Sequence, residues 1–113
     1  MLGGGSNAFT SNEMVSYYIT VPFENLEPAM EILSDMVFNS LIPDDEFQKE
    51  RQVVLEEEAE GQADIDHYLW DSFSDSFLTG RNKFPVIGFS ETINKFSTEE
   101  LKRFYNKFYR KSN

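Results

Sequence analysis

Gly4-Gly5-Ser6-Asn7-Ala8-Phe9-Thr10-Ser11-Asn12-Glu13-Met14-Val15-Ser16-Tyr17-Tyr18-Ile19-Thr20-Val21 is the stretch on which the fold turns. Phe9-Thr10, Val15 and Tyr17–Val21 supply the β-branched and aromatic residues that suit a pleated surface, and Ser11-Asn12-Glu13 interrupts them. The pattern predicts a short strand, a turn and a longer strand, paired as a hairpin. The glycines that open it, with Ser6, read as a flexible lead rather than a point where backbone closely approaches another group.

Beyond Pro22 the period changes. Asn25 or Glu24 caps a segment with apolar residues at Leu26, Ala29, Met30, Leu33, Met36 and Val37, and steps of three and four predict an amphipathic helix. Leu41-Ile42-Pro43 interrupts it. Asp44-Asp45-Glu46 is the acidic first turn that a helix dipole favours, so a second helix starts there and runs through Phe47, Val53, Val54 and Leu55 to about Glu60. A further helical stretch carries Ile65, Leu69, Phe73 and Phe77 and stops at Thr79-Gly80, with Gly80 in the C-cap role. Gly61 either breaks or bends one long helix. Residues 80–90 read as a loop, Ser90–Ile93 as a turn or two of helix, and Ser97–Glu100 as the capping box of a last helix. The stripe Leu101, Phe104, Tyr105, Phe108 and Tyr109 on that helix reads as core packing. The expected fold class is α+β, an N-terminal β-hairpin or partial sheet packed against about four helices, in a single domain over residues 1–113.

Composition narrows the functions. The chain has 113 residues, 40% of them hydrophobic and 15% aromatic, and a net charge of -10, which suits a soluble acidic domain with a core of its own. Twenty acidic against ten basic residues exclude nucleic acid as a partner, because such affinity comes from neutralising phosphates. The absence of cysteine removes disulfides, thiolate metal sites and cysteine nucleophiles together. No run approaches the roughly 20 apolar residues of a membrane span, so no membrane partner is expected. With no targeting signal visible, a cytoplasmic location is favoured.

The acidic second helix carries the candidate chemistry. At about 100° per residue from Phe47, Val54 falls near 340° and Val53 near 240°, with Glu50 and Glu57 near 300° and 280°. Both carboxylates lie inside that stripe, and Glu58, near 20°, lies at its margin or beyond. A carboxylate on a buried face needs a cation, hydrogen bonds or a proton. Metal ligation by one glutamate, supported by the other, answers that need, and so does a wet stripe edge on which both are solvated. A catalytic zinc takes three protein ligands, and the chain holds one histidine, His67. Beside Asp64 and Asp66, His67 reads as a partly exposed, carboxylate-paired residue rather than a ligand. No phosphate loop and no nucleophile elbow is present.

The ordered set Gly4-Gly5, Asn7-Ala8-Phe9-Thr10-Ser11, Tyr17-Tyr18, Val21, then Met30…Leu33–Asn39, Glu50–Glu57, Pro85-Val86-Ile87-Gly88 and the helix over 97–109 resembles the pitrilysin/insulinase (inverzincin) family of zinc metallopeptidases. The chain looks processing-peptidase-like, and the resemblance covers residues 4–109 in collinear order. It implies a partial metallopeptidase domain in which Glu57 is the third zinc ligand and Glu50 supports it. It also implies that Asn7, Ala8 and Phe9 form the edge strand to which an extended peptide substrate adds. The family's His-x-x-Glu-His helix, with two zinc ligands and the general base, lies upstream of the Gly-Gly motif, and a second half lies downstream. Neither is within these residues. The resemblance therefore implies a portion of a zinc-dependent endopeptidase catalytic domain, inactive alone, with no catalytic residue of its own and with zinc held tightly only in the full-length enzyme. The alternative is a non-catalytic interaction module that self-associates as a homo-oligomer through an exposed strand edge and helix faces.

Overall fold

In the computed structural model, which describes residues 3–112, the predicted hairpin forms. Strands β1 (Gly5–Thr10) and β2 (Val15–Thr20) pair antiparallel, with Asn7 opposite Tyr18, Ala8 opposite Tyr17 and Phe9 opposite Ser16. Ser11 shapes the turn: its N–H donates to the Met14 carbonyl at 2.8 Å, and its hydroxyl accepts from the N–H groups of Glu13 and Met14 at 3.3 and 3.2 Å. A 3-10 turn over Phe23–Asn25 leads into α1 (Leu26–Phe38). Then come α2 (Asp44–Ala63), α3 (Ile65–Phe77), a 3-10 turn over Gly80–Lys83, α4 (Ser90–Lys95) and α5 (Thr98–Phe108). The fold is α+β as expected, with five α-helices and one two-stranded sheet among the described residues.

The chain divides into two compact units. The first contains the hairpin, α1 and the end of α5 from Arg103 onward. Within it α1 packs against β2, and the Tyr105 hydroxyl bridges the end of α1, donating to the Val37 carbonyl at 2.9 Å and accepting from the Ser40 N–H at 3.0 Å. Tyr17 and Tyr109 share a hydroxyl–hydroxyl bond of 2.9 Å and meet edge to face, their ring centroids 6.3 Å apart. Loss of solvent around the Tyr17 hydroxyl, and then that bond, push its pKa up to about 12.

The second unit runs from Ile42 to Lys102. Ile42 enters it at φ 46°, a left-handed conformation that a β-branched residue rarely adopts. There α2 packs against α3 and α4. Arg51 donates to the Phe96 carbonyl and lies over the Phe47 ring, 4.7 Å from its centroid. The Thr98 hydroxyl donates to the Asp44 carboxylate. Ser97 and Glu100 form the expected capping box, Ser97 N–H to Glu100 Oε2 at 2.9 Å and Glu100 N–H to Ser97 Oγ at 3.2 Å.

Several expectations are corrected. The long helix is not broken at Gly61, which lies inside α2. The break is Asp64, extended at φ -82° and ψ 122°, whose carboxylate caps α3 by accepting from the His67 N–H at 2.8 Å. α3 ends at Phe77, closed by the Leu78 N–H on the Ser74 carbonyl at 3.0 Å, so Gly80 is no C-cap and uses its φ of 63° to begin the next turn. The stripe of α5 is only half covered: Leu101, Tyr105 and Tyr109 are partly buried, while Phe104 and Phe108 are exposed. A core of the chain's own is also not realised, because Ala29 and Ile93 are the apolar side chains buried among the described residues. Large apolar side chains stay exposed in both units, Met30 and Met36 in the first and Leu69 and Trp70 in the second among them. No helix among the described residues is long and apolar enough to cross a membrane.

Two outcomes test these ties. Tyr105→Phe removes both bonds at the end of α1 and should cost roughly 1–3 kcal/mol, read by denaturant titration. The Asp44 carboxyl is held below the ordinary carboxylate range, first by the Thr98 hydroxyl and then by the Gln48 amide. A folded value below the unfolded one adds stability at pH above the unfolded value, and that stability is lost as pH falls through the folded one. Thr98→Val should therefore raise the Asp44 pKa and move the acid unfolding midpoint, followed by circular dichroism, to higher pH.

Candidate functional site

The rotation of α2 decides which of its carboxylates can do chemistry. At about 100° per residue, Phe47, Arg51, Val54 and Glu58 share a sector of about 60°, flanked by Leu55 and Gly61, and these six are covered. Glu50, Val53 and Glu57 share the neighbouring sector of about 60°, and all three are exposed. The inward placement of Glu50 and Glu57 is thus corrected, because Val53, 44% exposed, does not belong to the covered stripe. The buried carboxylate is Glu58, only 8% exposed, whose Oε1 accepts from the Gln62 amide. Glu50 and Glu57 have neither a hydrogen bond nor an ion pair among the described residues. Their Cα atoms are two turns apart, about 10 Å along the axis.

His67 pairs with Asp71, one turn on, with Nε2 3.4 Å from Oδ2; Asp64 instead holds the backbone N–H. Glu58, His67, Asp71 and Lys83 are among the residues around a cavity of about 300 Å³ in this unit. Lys83 is tied to Asp75 at 3.1 Å. The sequence reading missed Glu58, Asp71 and Lys83, although the four-residue step from His67 to Asp71 marks a pair on one helix face. Among the described residues no group of three His, Asp or Glu side chains could hold a metal ion.

Asn7, Ala8 and Phe9 lie on β1 in the first unit, all exposed. β1 pairs only with β2, so its other edge is unpaired among the described residues. The Ala8 N–H donates to Asn7 Oδ1 at 2.8 Å. The residue ahead of the strand is not a loose lead: a Cβ on Gly4 would lie 2.2 Å from the Thr20 carbonyl oxygen and 2.6 Å from Val21 Cγ1, whereas one on Gly5 would meet nothing within 4 Å. Backbone of β1 and β2 can close at this end only without a side chain. Gly4→Ala should weaken the hairpin and speed amide exchange in β1 and β2, and Gly5→Ala should leave exchange unchanged.

The family profile described as Insulinase (Peptidase family M16) matches residues 1–83. An uncharacterized zinc protease of Rickettsia felis is 34% identical over 113 residues, covering 99% of this chain and 27% of its own length. The probable mitochondrial-processing peptidase subunit beta of Arabidopsis thaliana is 32% identical, over 96% of this chain and 20% of its own. Subunit 1 of the cytochrome b-c1 complex of Mus musculus is 28% identical, over 96% and 23% respectively. The chain spans about a quarter of the length of the relatives it matches.

Proposed function

The chain belongs to the insulinase family, peptidase family M16, and from that membership we propose that it is a portion of a zinc-dependent endopeptidase domain that supplies one zinc ligand and a substrate-binding edge. Glu57 is the ligand. The observation that carries this reading is the open face of α2, where Glu57 and Glu50 stand exposed with no partner among the described residues to neutralise or occupy them. Zinc fits this donor in part: a carboxylate oxygen is a suitable ligand, and the other two come from residues outside these 113, the His-x-x-Glu-His of the family. His67 is engaged by Asp71 and is not one of them. Zinc, when bound, acidifies its water and polarises the scissile carbonyl.

Glu50, on the same face two turns earlier, orients the site by charge and hydrogen bonding. The free edge of β1 gives an extended peptide a row of main-chain donors and acceptors, which binds backbone with little regard to side-chain identity. The Asn7 carboxamide holds the Ala8 N–H, so an incoming strand competes with it for that donor. The chain alone is inactive in this reading, because it lacks the general base and most of the ligand set.

In the full-length protein that contains this sequence, Glu57→Gln should abolish zinc retention, measured by metal analysis after dialysis, and Glu50→Gln should weaken it less. Equal zinc content in both variants and the parent would overturn the assignment. Chelator-sensitive peptide cleavage by the pure 113-residue chain would overturn its dependence on outside residues.

A second reading, compatible with the first, is an interaction module that self-associates. Exposed large apolar side chains on β1, β2, α1 and α3 support it, as surfaces of that kind mark contact sites. The mouse relative is by name a subunit of a complex.

A further inference from the structure

Glu50 and Glu57 have no hydrogen bond or ion pair among the described residues, so where they point follows from the rotation of α2 about its own axis. Apolar cover does little to fix that rotation. Phe47, Val54 and Leu55 on the other side are partly covered, but apolar burial is non-directional and tolerates sliding. A directional contact is needed.

Arg51 makes one. Its guanidinium lies over the Phe47 ring one turn back, 4.7 Å from the centroid, and its Nη2 donates to the carbonyl of Phe96, the residue that closes α4. Neither partner carries a charge. What the contact uses is therefore the flat shape of the guanidinium and its forked donors, which a lysine does not reproduce. The contact leaves Nε buried with no partner among the described residues, so added stability is a poor account of it. Geometry is a better one.

We propose that Arg51 is a positioning residue for the metal centre: by clamping α2 between Phe47 and Phe96 it fixes the rotation that presents Glu57, and Glu50 with it, to zinc. The proposal rests on the reading of Glu57 as the zinc ligand. At about 100° per residue, Glu50 and Glu57 stand about 100° and 120° around the helix from Arg51. Arg51 thus faces away from both and acts on them through the helix. The lever is short but sensitive. A carboxylate at the helix surface lies about 5.5 Å from the axis, so a turn of about 20° carries it about 2 Å, whereas a metal–ligand distance tolerates about 0.2 Å.

The test uses the full-length protein that contains this sequence, with cobalt(II) as the probe because zinc has a filled d shell and no visible spectrum. Arg51→Met should lower cobalt affinity about tenfold to a hundredfold, read by competition with a chelator, and should shift the visible cobalt bands. Arg51→Lys should recover little of either, since it restores charge without the planar fork. Phe47→Leu keeps an apolar side chain and the Phe96 bond, so it should move both readouts in the same direction by less. Combined with Arg51→Met it should add nothing further, because the two residues form one clamp. Tyr105→Phe, in the other unit, serves as the control for lost stability and should leave cobalt affinity and spectrum at parent values.

Parent affinity and spectrum in both Arg51→Met and Arg51→Lys would overturn the positioning role, and so would full rescue by Arg51→Lys or an equal shift in Tyr105→Phe. In each of those cases a Glu57→Gln protein that still loses the metal leaves the ligand reading standing. Cobalt bound by Glu57→Gln as tightly as by the parent would overturn the ligand reading, and this proposal with it.

Discussion

Arg51 sets the rotation of α2 about its own axis. Its guanidinium stacks on Phe47 of the same helix and donates to the carbonyl of Phe96, the residue that closes α4. A planar cation held on one side by a ring and on the other by a carbonyl has little freedom to turn. The contact carries a penalty, because the Arg51 Nε is buried with no partner among the described residues, at a cost on the order of 1–3 kcal/mol. The Thr98–Asp44 bond fixes the start of the same helix. With Phe47, Val54 and Glu58 committed inward by these ties, Glu50 and Glu57 are carried onto the open face together. The candidate metal-binding residue is thus placed by a cation and a hydroxyl that have no part in the chemistry.

Most of the architecture is legible in local patterns. The hairpin follows from Ser11-Asn12-Glu13 between two β-prone runs, α1 from its three- and four-residue steps, and α5 from the Ser97/Glu100 box, all short-range signals that tertiary packing did not override. The misreadings share a cause: periodicity says which residues of a helix lie together but not which side the neighbours take. On α2 the sequence pattern admitted Val53 to the covered stripe and so drew Glu50 and Glu57 inward, and passed over Glu58. Gly4 was misread for a similar reason. The approach of Thr20 that forbids a side chain there comes from the strand partner, not from residues beside it in the chain. The ligand role proposed for Glu57 rests on a resemblance, since among the described residues no group of donors converges on one point.

The scarcity of buried apolar residues and the exposure of large ones such as Leu69 and Trp70 are two sides of one condition. A helix on a two-stranded sheet, or one helix packed against two others, covers one side of each element and leaves the other. Isolated hairpins are marginal in water for the same reason. The hydrogen-bonded tyrosines, the capping box and the Asp44–Thr98 tie take over part of the holding that a thicker core would provide. They are directional contacts, so they specify geometry more than they add stability.

The first unit is closed by residues from both ends of the sequence, and its hydroxyl contacts join positions 65, 68 and 92 residues apart. A ribosome delivers the chain from one end only. The hairpin and α1 therefore emerge early and wait, while the whole of Ile42–Lys102 is made and can pack, before Tyr105 and Tyr109 arrive. Synthesis thus completes the residues of the second unit before Tyr105 and Tyr109 are available to close the first.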